Sequence, residues 1–224
     1  MKKLFVISYP RSGQSLFIHA VQCLDHVWTQ AETKKPFQCI LGNDLFVNKE
    51  RFAPDIKTGL EKVVFYRGHV PMCSDPFIHV VRDPRDVFCS YARYVCKVNK
   101  KYSYAQALEI FAKGKAASFK GVNTLPKSWG DYIEYAESNQ MRMGTVLYEE
   151  MIVDPVEKAQ RALMQAGWLT KKAREMPPFK WFEAKSDWYY KRGRSGYYKQ
   201  EMPKKIQDIV VKANGEIMKK FGYA

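Results

Sequence analysis

Leu4–Ser8 is a short continuous apolar run closed by a Pro/Ser/Gly cluster, the pattern of a buried parallel strand that gives at once into a loop. From Gln14 to about Trp28 the apolar spacing turns helical. Residues 62–66 and 77–81 are two further β-rich runs, and the second leads into Arg82-Asp83-Pro84-Arg85-Asp86. That pentapeptide predicts a helix start, with Asp83 as N-cap, Pro84 at the first helical position and Asp86 closing an acidic version of the capping box. The same order recurs at Asp154-Pro155-Val156-Glu157, between a predicted strand over Thr145–Tyr148 and a predicted helix over 156–166. Strand, loop and helix thus alternate at least three times, which predicts an α/β fold with a central, mostly parallel sheet flanked by helices. Residues 103–138 read as largely helical, broken at Leu125-Pro126. The stretch 168–203 reads as irregular and aromatic, and a basic helix follows from Pro203 to Phe221. No repeat, low-complexity tract or flexible linker interrupts the chain, so the expectation is a single domain over residues 1–224.

Composition narrows the class. With 46% hydrophobic and 27% charged residues the chain matches ordinary globular proteins, which excludes disordered and collagen-like classes. Thirty-seven Lys and Arg against 23 Asp and Glu leave +14, a balance that calls for an anionic partner such as a nucleotide, a nucleic acid, a membrane surface or an acidic substrate. The five cysteines include no C-x-x-C pair, so neither a disulfide framework nor a zinc site is implied. The first apolar run meets Pro10-Arg11 too early for a signal peptide, and no run approaches a membrane span, so the expectation is a soluble, cytoplasmic protein.

Three segments carry candidate chemistry. Ser8-Tyr9-Pro10-Arg11-Ser12-Gly13-Gln14-Ser15 lies between a predicted strand and helix, where free backbone N–H groups and the helix dipole gather around an anion. Arg11 and the hydroxyls of Ser12 and Ser15 add donors to that cradle. It lacks the two glycines and lysine of a Walker A loop, and alone it reads equally as a strand-to-helix turn with a solvated arginine. In the second segment Arg82 leaves a strand end and Ser90 lies on the following helix, so one phosphate could touch both, although capping accounts for Asp83 and Asp86 and Arg82 could pair with either. The third, Lys191-Arg192-Gly193-Arg194-Ser195-Gly196-Tyr197-Tyr198-Lys199, holds four cations and two glycines in nine residues. It suits an anion clamp, a basic surface loop or a nucleic-acid patch with interleaved tyrosines.

Together, in this order, the three segments resemble the cytosolic sulfotransferase family, whose members transfer a sulfuryl group from 3′-phosphoadenosine-5′-phosphosulfate (PAPS) and release PAP. Tyr9-Pro10-Arg11-Ser12-Gly13-Gln14-Ser15-Leu16 looks like that family's Tyr-Pro-Lys-Ser-Gly-Thr-Thr-Trp loop. Arg82 and Ser90 match the spacing of its 3′-phosphate pair, and Lys191-Arg192-Gly193, Gly196 and Lys199 match its closing loop. Tyr148-Glu149-Glu150-Met151 resembles its Tyr-Glu-Asp-Met segment, and Arg67-Gly68-His69-Val70-Pro71 its Lys-Thr-His-Leu-Pro.

The resemblance implies a P-loop nucleotide-hydrolase-like fold, with Arg11, Ser12, Gly13, Gln14, Ser15, Leu16, Arg82, Ser90, Tyr148, Lys191, Arg192 and Gly193 as nucleotide contacts. His69 is then the general base, with Arg11 and Arg67 stabilising charge on the leaving phosphate, and no metal is expected. If His69 is not the base, Glu149, Glu150 and His79 come next. His19 and His26, seven apart on the predicted first helix, and His79, inside a strand, read as structural. Arg11 replaces the family lysine with a planar fork, and Gln14 and Leu16 replace a threonine and a tryptophan. The expected partners are a small-molecule or glycan acceptor, with no specific nucleic acid and no membrane, and the expected state is a monomer or weak dimer. A P-loop kinase or NTPase and a basic nucleic-acid-binding module are the competing readings.

Overall fold

The computed structural model describes residues 2–21, 23–25, 30–41, 44–52, 63–68, 76–98, 101–114, 128–167, 170–172, 175–180 and 193–224. In chain order the elements are β1 (Lys2–Ser8), α1 (Gln14–Val21), β2 (Leu24–Asp25), β3 (Gln30–Leu41), β4 (Asp44–Phe52), β5 (Val63–Gly68), β6 (Phe77–Val81), α2 (Pro84–Val98), α3 (Tyr104–Ala112) and α4 (Trp129–Ser138). They continue with β7 (Arg142–Leu147), α5 (Tyr148–Met151), α6 (Pro155–Gln165), β8 (Lys171–Lys172), α7 (Tyr198–Glu201) and α8 (Lys204–Lys220).

Four strands form one sheet in the order β5-β1-β6-β7, and all three pairings are parallel. This is the α/β arrangement that the alternation of elements predicts. The strand β6 is buried along its whole length, as a strand covered on both faces must be. Val6, Ile78, Val80 and Val146 pack with Phe17 and Ala20 of α1 and Ala159 and Leu163 of α6 in one core. A second core gathers α2, α3, α4 and α8 around Phe88, Leu108, Trp129, Tyr132, Val210 and Met218. His79, fully buried, meets Tyr132 of α4 with ring centroids 5.9 Å apart.

Local signals explain most helix starts. Asp154 accepts from the Glu157 amide at 3.0 Å with Pro155 behind it, and Ser103 forms a full capping box with Gln106. At α2 the expectation needs correcting. Asp83 does cap, accepting from the Arg85 amide at 2.8 Å, but no acidic capping box forms. The Asp83 amide is instead taken by Glu149 Oε1 at 3.1 Å, and the Asp86 carboxylate is engaged by the 195–198 segment.

The first helix is also shorter than its apolar pattern predicts. It ends at Val21; the Cys23 amide closes on the Ala20 carbonyl, and Leu24–Asp25 pairs antiparallel with Lys171–Lys172. His26 lies outside the described residues. Tyr148, expected to end a strand, opens the short helix α5, and residues 30–52 hold an antiparallel hairpin that the sequence pattern did not reveal. The 168–203 stretch includes β8 and α7, and the last helix matches its predicted span to within a residue at each end.

Candidate functional site

The segment Tyr9–Gly13 joins β1 to α1. Arg11 sits at φ +73° and Gly13 at φ +99°. Left-handed backbone costs a long side chain energy, so the fold holds Arg11 there against its preference, as happens where backbone must wrap a ligand. Gly13 is required on a second count: a Cβ there would stand 2.3 Å from Tyr148 Cδ2. The loop is pinned by the Ser12 amide on the Tyr9 carbonyl at 3.1 Å, and by Tyr9 itself, buried edge-on to Tyr132 with centroids 5.4 Å apart. Burial pushes the Tyr9 phenol well above its ordinary range. Ser12 is fully buried, and among the described residues its Oγ has no hydrogen-bond partner. Gln14 turns its amide back onto the Val6 carbonyl at 2.5 Å, and Leu16 packs into the core around Phe17. Ser15 is half-buried at the start of α1.

Arg82, one residue past β6, is the hub of the site. Its Nη1 donates to the Arg11 carbonyl at 3.3 Å and its Nη2 to the Arg194 carbonyl at 3.2 Å. Its Cζ lies 3.8 Å from the centre of the Tyr148 ring, the ring that covers Gly13. The guanidinium is buried, and its Nε has no partner among the described residues. Burial works against the charge, but Tyr148, Tyr197, Asp86 and Glu149 surround it and hold the Arg82 pKa above the ordinary arginine value. Ser90 joins the same group indirectly, accepting from Arg11 Nε at 3.3 Å, while Arg11 Cζ lies 5.5 Å from the Tyr94 ring. Arg82 and Ser90, paired by spacing alone, are thus connected through Arg11, one touching its carbonyl and the other its side chain.

The third segment is tied to α2 by Asp86, which is fully buried. Its carboxylate accepts from the Gly196 amide at 2.7 Å, the Tyr198 amide at 3.0 Å and the Ser195 hydroxyl at 3.4 Å, and its carbonyl accepts from the Tyr197 hydroxyl at 2.5 Å. Burial pushes the Asp86 carboxyl up, and Arg82 with the two amides pulls it back. Arg93 pairs with Glu201, which also accepts from the Tyr104 hydroxyl at 3.2 Å. Gly193 is at φ +49° and a Cβ there would meet Phe179 Cδ2 at 2.5 Å. Lys191 and Arg192 lie outside the described residues. Asp86 and Arg194 escaped the sequence reading: an acid at the third position of a helix looks like capping, and Arg194 acts here through a carbonyl that every residue has.

His69 also lies outside the described residues. Arg67 and Gly68 close β5, where Val6 pairs with Arg67 and Ile7 with Gly68, so β5 leaves the sheet at the same edge as the Tyr9–Gly13 loop. His79 is fully buried within β6. Its Nδ1 lies 2.8 Å from Glu137 Oε1, which also accepts from the Thr145 hydroxyl at 2.7 Å, and burial holds its pKa below the ordinary histidine value. Glu149 is engaged by the Asp83 amide and the Tyr223 hydroxyl, and Glu150 pairs with Lys158 at 3.4 Å. Among the described residues no group of three or more His, Cys, Asp or Glu could hold a metal ion, and no helix is long and apolar enough to cross a membrane.

A parallel sheet whose inner strand opens through a glycine-bearing loop into a helix N-terminus defines an α/β fold of the P-loop type. Residues 76–165 match the model of the sulfotransferase domain family. No curated protein matches the chain by sequence. Among solved structures, the mouse sulfotransferase SULT7A1 complexed with PAP superposes with a TM-score of 0.65 at 15% identity, over 99% of this chain and 89% of that one. Retinol dehydratase in complex with androsterone and the inactive cofactor PAP gives 0.62 at 14% identity, over 98% and 82%. Its complex with retinol and PAP gives 0.63 at 15% identity with the same coverage. At these identities the likeness is one of fold, and the fold is that of the sulfotransferases.

Proposed function

We infer that the protein transfers a sulfuryl group from PAPS to a hydroxyl or amine of a small-molecule or glycan acceptor, by in-line displacement. The observation that carries this reading is a pair of buried donors at and beside the Tyr9–Gly13 loop, the Ser12 hydroxyl and the Arg82 Nε, which have no partner among the described residues and lie next to backbone held in left-handed form. Buried polar groups are nearly always satisfied, so donors left over at a helix N-terminus fit an absent anion. PAPS, when bound, supplies the sulfuryl group and a leaving 5′-phosphate. Arg11, Ser12, Gly13 and Ser15 would hold the 5′ end, with Gln14 and Leu16 fixing the first turn of α1. Arg82, Ser90, Lys191, Arg192 and Gly193 would hold the 3′-phosphate, and Tyr148 the adenine side. His69 takes the acceptor proton, while Arg11 and Arg67 stabilise charge on the leaving oxygen, as cationic donors do in phosphoryl transfer.

Binding tests the reading directly. By calorimetry the protein should bind PAP more tightly than AMP, and Arg82→Ala should erase most of that preference, by about 1.5–3 kcal/mol for a charge-assisted contact. Equal affinities for PAP and AMP in the wild type would sink the assignment. A variant that still discriminates fully would place the 3′-site elsewhere. Activity should also survive EDTA, because the donors named for the leaving phosphate are side chains and backbone amides; complete loss restored by magnesium would favour a kinase-like reaction.

A further inference from the structure

The helix α8 ends in a Schellman turn. Gly222, at φ +72°, donates its amide to the Lys219 carbonyl at 3.1 Å, and Tyr223 donates its amide to the Met218 carbonyl at 3.0 Å. This reversal sends Tyr223 back toward the sheet, where its hydroxyl donates to Glu149 Oε2 at 2.7 Å. The other oxygen of the same carboxylate accepts the Asp83 amide at 3.1 Å. Glu149 therefore spans two turns that the sheet brings side by side, the one after β6 and the one after β7. Arg85 closes the group: it grips Asp83 as a fork, at 3.0 Å from Nε and 2.7 Å from Nη2, and donates to the Tyr223 carbonyl at 2.5 Å. Its Cζ also lies 4.1 Å from the centre of the Tyr198 ring.

The placement of these bonds matters more than their number. Asp83 directly follows Arg82 and Glu149 directly follows Tyr148, and Arg82 stacks 3.8 Å from the centre of the Tyr148 ring, the ring that covers Gly13. We propose that Tyr223, at the end of the chain, is a positioning residue that sets the spacing of Arg82 and Tyr148 through Glu149 and Asp83, and so tunes affinity for the adenine nucleotide. The proposal rests on the sulfotransferase reading for the identity of that nucleotide. Among the described residues Tyr223 has no hydrogen bond to a proposed ligand contact; it acts one residue removed, at both turns at once.

Tyr223→Phe removes the hydroxyl and keeps the ring that packs near Trp129 and Phe221. It should raise KM for PAPS and Kd for PAP about tenfold while kcat at saturating PAPS stays within about twofold, as expected when one hydrogen bond to a buried carboxylate is lost and only the approach of binding groups changes. Without nucleotide, hydrogen exchange at the Asp83 amide should quicken about tenfold as its acceptor loosens. Glu149→Gln, which keeps the shape and weakens both bonds, should give the same split. Wild-type affinity for PAP in Tyr223→Phe overturns the proposal. So does a lower kcat and melting temperature with KM unchanged, since Tyr223 would then be packing alone. The exchange measurement separates this proposal from the reading it rests on: if the wild type does not prefer PAP over AMP, the sulfotransferase reading fails, whereas unchanged Asp83 exchange in Tyr223→Phe removes the strap whatever the nucleotide.

Discussion

His69→Ala is expected to slow sulfuryl transfer by roughly 10²–10⁴-fold while leaving affinity for PAP nearly unchanged, because a general base acts on the acceptor's proton and makes no contact with the phosphates. Single-turnover transfer from PAPS to a hydroxyl acceptor, measured beside calorimetry with PAP and a thermal melt, reads all three quantities. A drop in rate that comes with a drop in melting temperature would make His69 a packing residue. A wild-type rate in a folded variant would move the base elsewhere, and the candidates that follow it are poorly placed. The His79 ring is buried and bonded to Glu137, Glu149 is spent on Asp83 and Tyr223, and Glu150 is paired with Lys158.

Asp86→Ala is expected to be the most damaging change to the fold of the site. It deletes the acceptor for the Gly196 and Tyr198 amides and removes the carboxylate 3.9 Å from Arg82, leaving two buried amide donors unpaired and a buried guanidinium with less compensation. Losses of this kind cost about 3–5 kcal/mol, which for a chain of this size lowers the melting temperature by about 10 °C. The nucleotide should bind far more weakly as well, because the segment that holds Arg194, Ser195 and Gly196 loses its carboxylate anchor on α2 and keeps only the Tyr197 hydroxyl on the residue 86 carbonyl and the Arg93–Glu201 pair. Asp86→Asn keeps one acceptor oxygen and should fall between the two. A melting curve for Asp86→Ala that overlays the wild type would show that the 195–198 segment is held by other contacts.

What the sequence revealed and what it hid follow from the range of the interactions. The strands around the site were legible because an unbroken apolar run such as Phe77–Val81 has few other ways to be buried, and Asp154-Pro155 announces a helix through bonds to its own next turn. The Asp83 cap was legible for the same reason. The hold of Asp86 on the 195–198 segment was not, since the amides it accepts from are more than a hundred positions away, and nothing nearby distinguishes an acid that caps from one that anchors a distant loop. Gln14 to Trp28 kept a helical apolar spacing past the point where Leu24 and Asp25 pair with another strand, so periodicity overran the end set by tertiary contact. The loop at Arg11 was identified by residue types; its left-handed backbone and the Tyr148 ring over Gly13 came only with three dimensions.

The position of β1 inside the sheet governs the order in which the molecule can assemble. Lys2 pairs with Val63 on one side and Phe5 with Phe77 on the other, so β1 lacks both of its sheet neighbours until the later strands β5 and β6 have arrived. Parallel pairing across such separations is slow, because the entropy of closing long loops is lost before the contacts repay it. The Tyr9–Gly13 loop therefore takes shape late, when β5 and β6 have flanked β1. The stretch 76–165, for all its sulfotransferase likeness, contains β6 and β7 but neither β1 nor β5, so an isolated piece with those bounds would show an open sheet edge in place of β1 and the Tyr9–Gly13 loop.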